Sequence, residues 1–226
     1  MPPIDRLVAF ALTAAVVIVV PGPSVLFIVG RALAAGRRTA LLSVLGNTVG
    51  EYVQVVAVAF GVGAVAERSV AVLTAIKIAG GVYLLYLGIT TFLRRRATGA
   101  PPPDEGGAAP GAGAPAARGE GARGERGALV RGTFVGATNP KTVVFLAAIL
   151  PQFVARSHGP VTVQILVLGL VFSAIALVCD SAWALGAHGV RAWFATSPRR
   201  LELLHGAGGV AITAVGIAVL ATGRRT

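Results

Sequence analysis

Six apolar stretches, each long enough to cross a bilayer, constrain this chain more than any other feature: roughly residues 5–30, 39–65, 70–93, 129–154, 160–188 and 204–223. A spanning helix takes about 20 mainly apolar residues. With 55% of its 226 residues hydrophobic and only 13% charged, the chain reads as an all-α membrane protein with six transmembrane helices. Residues 1–35 could pass for a signal peptide, with Arg6, an apolar stretch and small residues near Ala34. The length of the stretch and the membrane character of the rest of the chain favour a first spanning helix instead.

The formal charge of +11 would suggest nucleic acid in a soluble protein. Here the arginines gather between apolar segments and no aromatic-basic surface alternates with them, so no nucleic-acid partner is expected. With six spans, the loops fall on two sides. One side holds thirteen arginines, among them Arg31, Arg37, Arg38, Arg94 to Arg96, Arg126, Arg131, Arg191, Arg199 and Arg200; the other holds five, Arg6, Arg68, Arg156, Arg224 and Arg225. The richer side is expected in the cytoplasm, which leaves both termini outside.

Residues 97–128, "ATGAPPPDEGGAAPGAGAPAARGEGARGERGA", hold almost no bulky apolar residue and cannot offset the entropy of ordering. The segment reads as a flexible cytoplasmic linker between two halves of three spans, 1–96 and 129–226. Those halves look related. "AGGVYLLYLGI" at 79–89 and "AGGVAITAVGI" at 207–217 share six residues at one offset of 128, and Pro23 of "VVPGPSVLF" aligns with Pro140 of "ATNPKTVVF". The loop after the first span is basic in the first half and nearly bare in the second, and the next loop reverses this. Matching sequence with opposite charge bias predicts two inverted three-helix repeats.

Proline removes a backbone donor and clashes with the preceding turn, so Pro21-Gly22-Pro23 and Asn139-Pro140 should interrupt the first helix of each half. Freed backbone groups at membrane depth need protein or a watery cavity as partner. Two matching breaks therefore point to a central site. The acids agree: of nine, only Glu51 and Asp180 lie well inside apolar stretches, each on the second helix of its half. A charge at the bilayer centre costs about 2.5 to 3.5 kcal/mol, so each needs a reason to be there. Lys141 either joins them or snorkels to the surface. Asn47, Thr48, Gln54, Ser24 and Thr142 are softer candidates, equally at home as interhelical glue. Tyr83, Tyr86, Trp183 and Trp193 read as interfacial anchors, and His158, His188 and His205 form no metal or catalytic spacing. No nucleotide-binding or hydrolase motif appears, so neither an enzyme nor a cofactor is expected.

"PGPSVLFIVGRALAAGRRTALLSVLGNTVGE", "IKIAGGVYLLYLGITTFLR", "NPKTVVFLAAILPQF" and the closing glycine-patterned helix together resemble the LysE family of amino-acid exporters. The resemblance implies six helices in the bacterial inner membrane and ion-driven export of amino acids or related metabolites. It places the family's proline motifs on Pro21 to Pro23 and on Asn139 to Lys141. It places an acidic position, more often aspartate, on Glu51. The expected site is Pro21, Gly22, Pro23, Ser24, Asn47, Glu51, Asn139, Pro140, Lys141 and Asp180, with a small-molecule amino acid, a coupling proton and the lipid bilayer as partners. Sodium coupling and a homodimer stay open. A metal-cation exporter using Glu51, Asp180 and Cys179 is the alternative. A thiol-disulfide relay needs two thiols, and Cys179 is the only cysteine.

Overall fold

The computed structural model describes residues 1–68, 70–94, 121–195 and 198–221, and every regular element among them is helical. Residues 97–120 of the expected linker lie outside the described residues, as do Arg95, Arg96, Arg224 and Arg225. The helices are α1 (Ile4–Val19), α2 (Pro23–Arg68), α3 (Val70–Arg94), α4 (Gly121–Thr138), α5 (Pro140–Ile149), α6 (Val161–Ala195) and α7 (Pro198–Ala221). Two short 3₁₀ turns, Leu150–Phe153 and Arg156–His158, link α5 to α6.

The helices carry apolar side chains on their outer faces as well as in the core, where a minority of polar ones is enclosed. On α2, Asn47, Glu51 and Gln54 recur at helical spacing on the buried side, while Leu45, Val49 and Val53 are each roughly half exposed. Leu12, Phe60, Leu170 and Val178 face outward in the same way. Apolar side chains outside and polar ones inside suit hydrocarbon as the solvent. Pro23–Gly61, Thr74–Leu93 and Val161–Ala187 are long and apolar enough to cross a membrane. Gly124–Thr138 and Pro140–Phe153, bent by 49° at their break, are together apolar and long enough for a fourth, as a broken span or a re-entrant loop. The 39 residues of Pro23–Gly61 would measure roughly 58 Å as one straight helix, nearly twice the hydrocarbon thickness. Gly36 divides them: its φ of 83° and ψ of 170° are non-helical and cost glycine little.

α4 begins at Gly121, so residues 121–128 of the stretch whose composition reads as linker are helical. Its glycines are poor helix formers alone, but neighbours hold the helix. The Arg38 guanidinium pairs with Glu125 at 2.8 Å, and further along α4 lies directly on α2. There the two backbones touch through reciprocal glycine pairs, Gly46 and Gly50 of "GNTVG" and Gly132 and Gly136 of "GTFVG". A Cβ on Gly132 would strike the Ser43 carbonyl and one on Gly136 the Asn47 carbonyl, so neither position has room for a side chain.

α3 and α7, the helices that carry the 128-residue correspondence, also pack through glycine. A Cβ on Gly216 would come within 3.1 Å of the Gly81 carbonyl oxygen, and one on Gly209 within 2.7 Å of the Gly88 carbonyl oxygen. Gly81 corresponds to Gly209 and Gly88 to Gly216, so each contact is the other with the halves exchanged. The chain start is tied to the turn region before α6: the terminal ammonium donates to the His158 carbonyl at 2.9 Å and Arg6 Nη1 to the Val154 carbonyl at 2.5 Å. Buried Gln164 braces the same turn, accepting from Ala155 N–H and donating to the Ala155 and Gly159 carbonyls, each at 2.9 Å.

Candidate functional site

The backbone leaves the helix after Val19 and resumes at Pro23, and it does so again between Thr138 and Pro140. In each restart a proline sits at the first helical position, where its missing N–H costs the helix it opens no bond of its own. Gly22 and Asn139 play the same part before it: Leu26 N–H bonds to the Gly22 carbonyl at 3.0 Å and Val143 N–H to the Asn139 carbonyl at 3.1 Å. The two breaks touch. Asn139 caps α5 by accepting from Lys141 N–H at 3.1 Å, and its Nδ2 donates to Ser24 Oγ, the second residue of α2, at 2.7 Å.

Each break leaves carbonyls without helical donors, and side chains from elsewhere reach them. Pro140 has no N–H for the Gly136 carbonyl four residues back; Gln54 Nε2 donates to it instead at 2.8 Å and lies 3.4 Å from the Asn139 carbonyl. Lys141 does not snorkel. Its ammonium donates to the Val20 carbonyl at the end of α1 at 2.7 Å.

Beside the breaks sit the acids. Asn47 Nδ2 donates to Asp180 Oδ2 at 2.9 Å and to Glu51 Oε1 at 3.2 Å, joining α2 to α6 through one amide. Asn47, Glu51 and Asp180 are buried, and Lys141 lies within electrostatic reach of both acids. Asn47 Oδ1, Glu51 Oε2 and Gln54 Oε1 have no hydrogen-bond partner. Buried acceptors of this kind call for a donor, which a protonated carboxyl or a bound ammonium supplies.

A cavity of about 30 Å³ opens here, room for one or two waters. Glu51, Asp180, Lys141, Asn139, Ser24 and Gly22 supply its polar wall and its closest backbone. Phe145, Phe172, Val25 and Ile18 supply an apolar wall, and Phe10 and Phe153 extend the aromatic packing behind Phe145. Of the residues expected in the site, those six line the cavity. Asn47 braces the acids without lining it, and Pro21, Pro23 and Pro140 shape the breaks. Thr142 lines it as well, having been only a soft candidate. The phenylalanines were missed because an aromatic in a membrane helix carries no distinguishing signal until its neighbours are known. Cys179 is a free, partly buried thiol next in sequence to Asp180, and among the described residues no three His, Cys, Asp or Glu side chains come together as metal ligands.

Fold and centre together define a multi-pass helical membrane protein that keeps charged side chains and interrupted backbone in its interior. The chain belongs to the LysE type translocator family, whose model matches residues 15–223. It is 31% identical over 216 residues to a homoserine/homoserine lactone efflux protein of Salmonella typhimurium, covering 96% of each chain. It is 25% identical over 142 residues, 62% of each chain, to a threonine efflux protein of Escherichia coli, and 30% identical over 164 residues to an uncharacterized membrane protein of Vibrio cholerae, covering 72% of this chain and 71% of that one. No solved structure matches this chain significantly. The family and its named relatives are translocators and efflux proteins rather than enzymes.

Proposed function

We propose that this protein exports small neutral amino acids bearing a hydroxyl group, of the homoserine and threonine type, from the bacterial cytoplasm in exchange for protons. Its six spans would form two inverted three-helix halves: α1 with α2 up to Gly36, the rest of α2, and α3; then α4 with α5, α6, and α7. The matching breaks, the exchanged glycine contacts of α3 and α7 and the arginine bias support that arrangement. The linker then lies in the cytoplasm, with both termini outside.

One observation carries the reading: the Asn139–Ser24 bond joins both helix breaks beside a Glu51–Asp180 pair matched by a single lysine. The N-terminal ends of α2 and α5 favour a carboxylate, and the Lys141 ammonium can leave the Val20 carbonyl to meet it. The substrate's ammonium goes to the acids. The Ser24, Asn139 and Thr142 side chains can exchange hydrogen bonds with a hydroxyl, and the Val25–Phe145–Phe172 wall fits a short aliphatic stem.

Charge balance supplies the coupling. Two ionised carboxylates and one ammonium leave one uncompensated negative charge in a site almost without water, and a proton on Glu51 neutralises it. The substrate's ammonium takes that proton's place beside Glu51 and the proton leaves to the cytoplasm, while the carboxylate that the substrate brings is offset by Lys141 and the N-terminal ends of α2 and α5. After release outside, a new proton restores neutrality and the empty site can return. Because the cavity holds only one or two waters, substrate entry requires the halves to rock apart, alternately on each side.

The test is Glu51→Gln in reconstituted vesicles loaded with homoserine. The amide cannot cycle a proton, so gradient-driven efflux should vanish while insertion and folding persist. Undiminished efflux by this variant would overturn the assignment.

A further inference from the structure

Eight hydroxyl side chains on the described helices are satisfied by their own helix. Thr13, Ser43, Thr48, Thr90, Thr91, Thr133, Thr138 and Thr213 each donate to the carbonyl four residues earlier, at 2.7 to 3.0 Å. That local bond is the ordinary way to satisfy a hydroxyl in hydrocarbon. Ser173 departs from it: it is 7% exposed, and its Oγ has no partner.

Its place in the fold gives the departure a meaning. Two contacts fix how α6 runs against α2: Asp180 meets Asn47, and Gly169 is pressed by Val55. The helices are therefore antiparallel, and Ser173, four residues from Gly169 and seven from Asp180, lies on the α6 face that meets α2. On α2 the corresponding stripe is Asn47, Glu51 and Gln54. The unpartnered oxygens of Asn47, Glu51, Gln54 and Ser173 thus share one seam, and an orphaned buried acceptor costs about 1 to 3 kcal/mol. Four in one seam call for mobile donors. In the proposed orientation, Ser173 sits on the outer side of Glu51 and Asp180; Gln54, outward of Glu51 along α2, is held to the α4–α5 break through the Gly136 carbonyl, and Lys141 holds the substrate beside the acids.

We propose that Ser173 is a positioning residue for proton entry, relaying protons from external water to Glu51. The Ser173 hydroxyl passes its hydrogen through a bridging water to the Glu51 carboxylate and takes another from the outer side. The net step moves one proton from external water to the carboxylate and leaves the serine unchanged. Substrate and proton then reach the acids from different directions. The inference rests on the proton-antiport reading of the same site.

The full-length chain in vesicles provides the test, with labelled homoserine as probe. Two rates are compared: transport driven by an imposed proton gradient, and homoserine–homoserine exchange, which moves no net proton. In Ser173→Ala the ratio of driven transport to exchange should fall about tenfold, the equivalent of one lost hydrogen bond of about 1.4 kcal/mol. Ser173→Thr, which keeps a hydroxyl, should restore it. An unchanged ratio overturns the relay, as does an equal fall in both rates, the mark of a structural defect. If the unaltered protein ignores the proton gradient while still exchanging homoserine, the antiport reading fails and takes the relay with it.

Discussion

Gln54 donates from Nε2 to the Gly136 carbonyl at 2.8 Å, supplying the hydrogen bond that Pro140 cannot. α2 thereby stabilises the break between α4 and α5, at a point where α2 and α4 touch backbone to backbone. The bond holds α4 intact up to the break.

Gln54→Leu should therefore act on stability before it acts on transport. The variant leaves the Gly136 carbonyl buried without a donor and should lower unfolding free energy by about 1 to 3 kcal/mol, read from denaturant titration in detergent. Gln54→Glu, which can donate only when protonated, should fall between the two.

Asn47 divides one amide between Asp180 at 2.9 Å and Glu51 at 3.2 Å, so its replacements should order by charge rather than by size. Asn47→Ala removes two hydrogen bonds to acids and should slow efflux by about tenfold to a hundredfold. Asn47→Asp is almost the same shape but sets a third carboxylate between two others, and should be the worse variant. Vesicle efflux assays on the pair decide it; equal losses would mean that Asn47 merely fills space.

How much of this was legible in the sequence differs by physical cause. The breaks could be read because proline removes a donor wherever it stands, and Glu51 and Asp180 because acids in apolar stretches are rare. Gln54 was only soft, since its partner is a carbonyl 82 residues away that becomes an orphan only when α4 ends beside α2. The reciprocal pairs Gly46–Gly50 and Gly132–Gly136 escaped notice because small residues in membrane helices look alike until a neighbour is placed against them. The start of α4 at Gly121 was hidden by its own composition: glycine and charge read as linker, and the helix depends on α2 for support.

The orientation is open to labelling from one side. Arg37 and Ser157 are both exposed, one beside Gly36 and the other in the turns before α6. With Cys179→Ser removing the native thiol, Ser157→Cys should react with a membrane-impermeant maleimide on intact cells. Arg37→Cys should react only after permeabilisation. The reverse pattern would invert the proposed topology.

Lys141 offers the sharpest check on substrate placement, because homoserine and its lactone differ at the group assigned to it. Homoserine carries a carboxylate; in the lactone that group is closed into a neutral ring. If the Lys141 ammonium leaves the Val20 carbonyl to pair with the carboxylate, Lys141→Met should cut homoserine efflux at least tenfold, the loss expected for a charged hydrogen bond of about 1.5 to 3 kcal/mol. Lactone efflux should fall much less, since that ligand never used the ammonium. The Val20 carbonyl would then lack its donor in both cases, a shared cost that cancels in the ratio. Lys141→Arg should not rescue homoserine, because the space beside Gly22 is already close: even a Cβ there would meet Lys141 Cδ at 3.3 Å. Efflux of both compounds measured from the same vesicles settles the point, and an equal fall for the two would show that Lys141 serves only to cap α1.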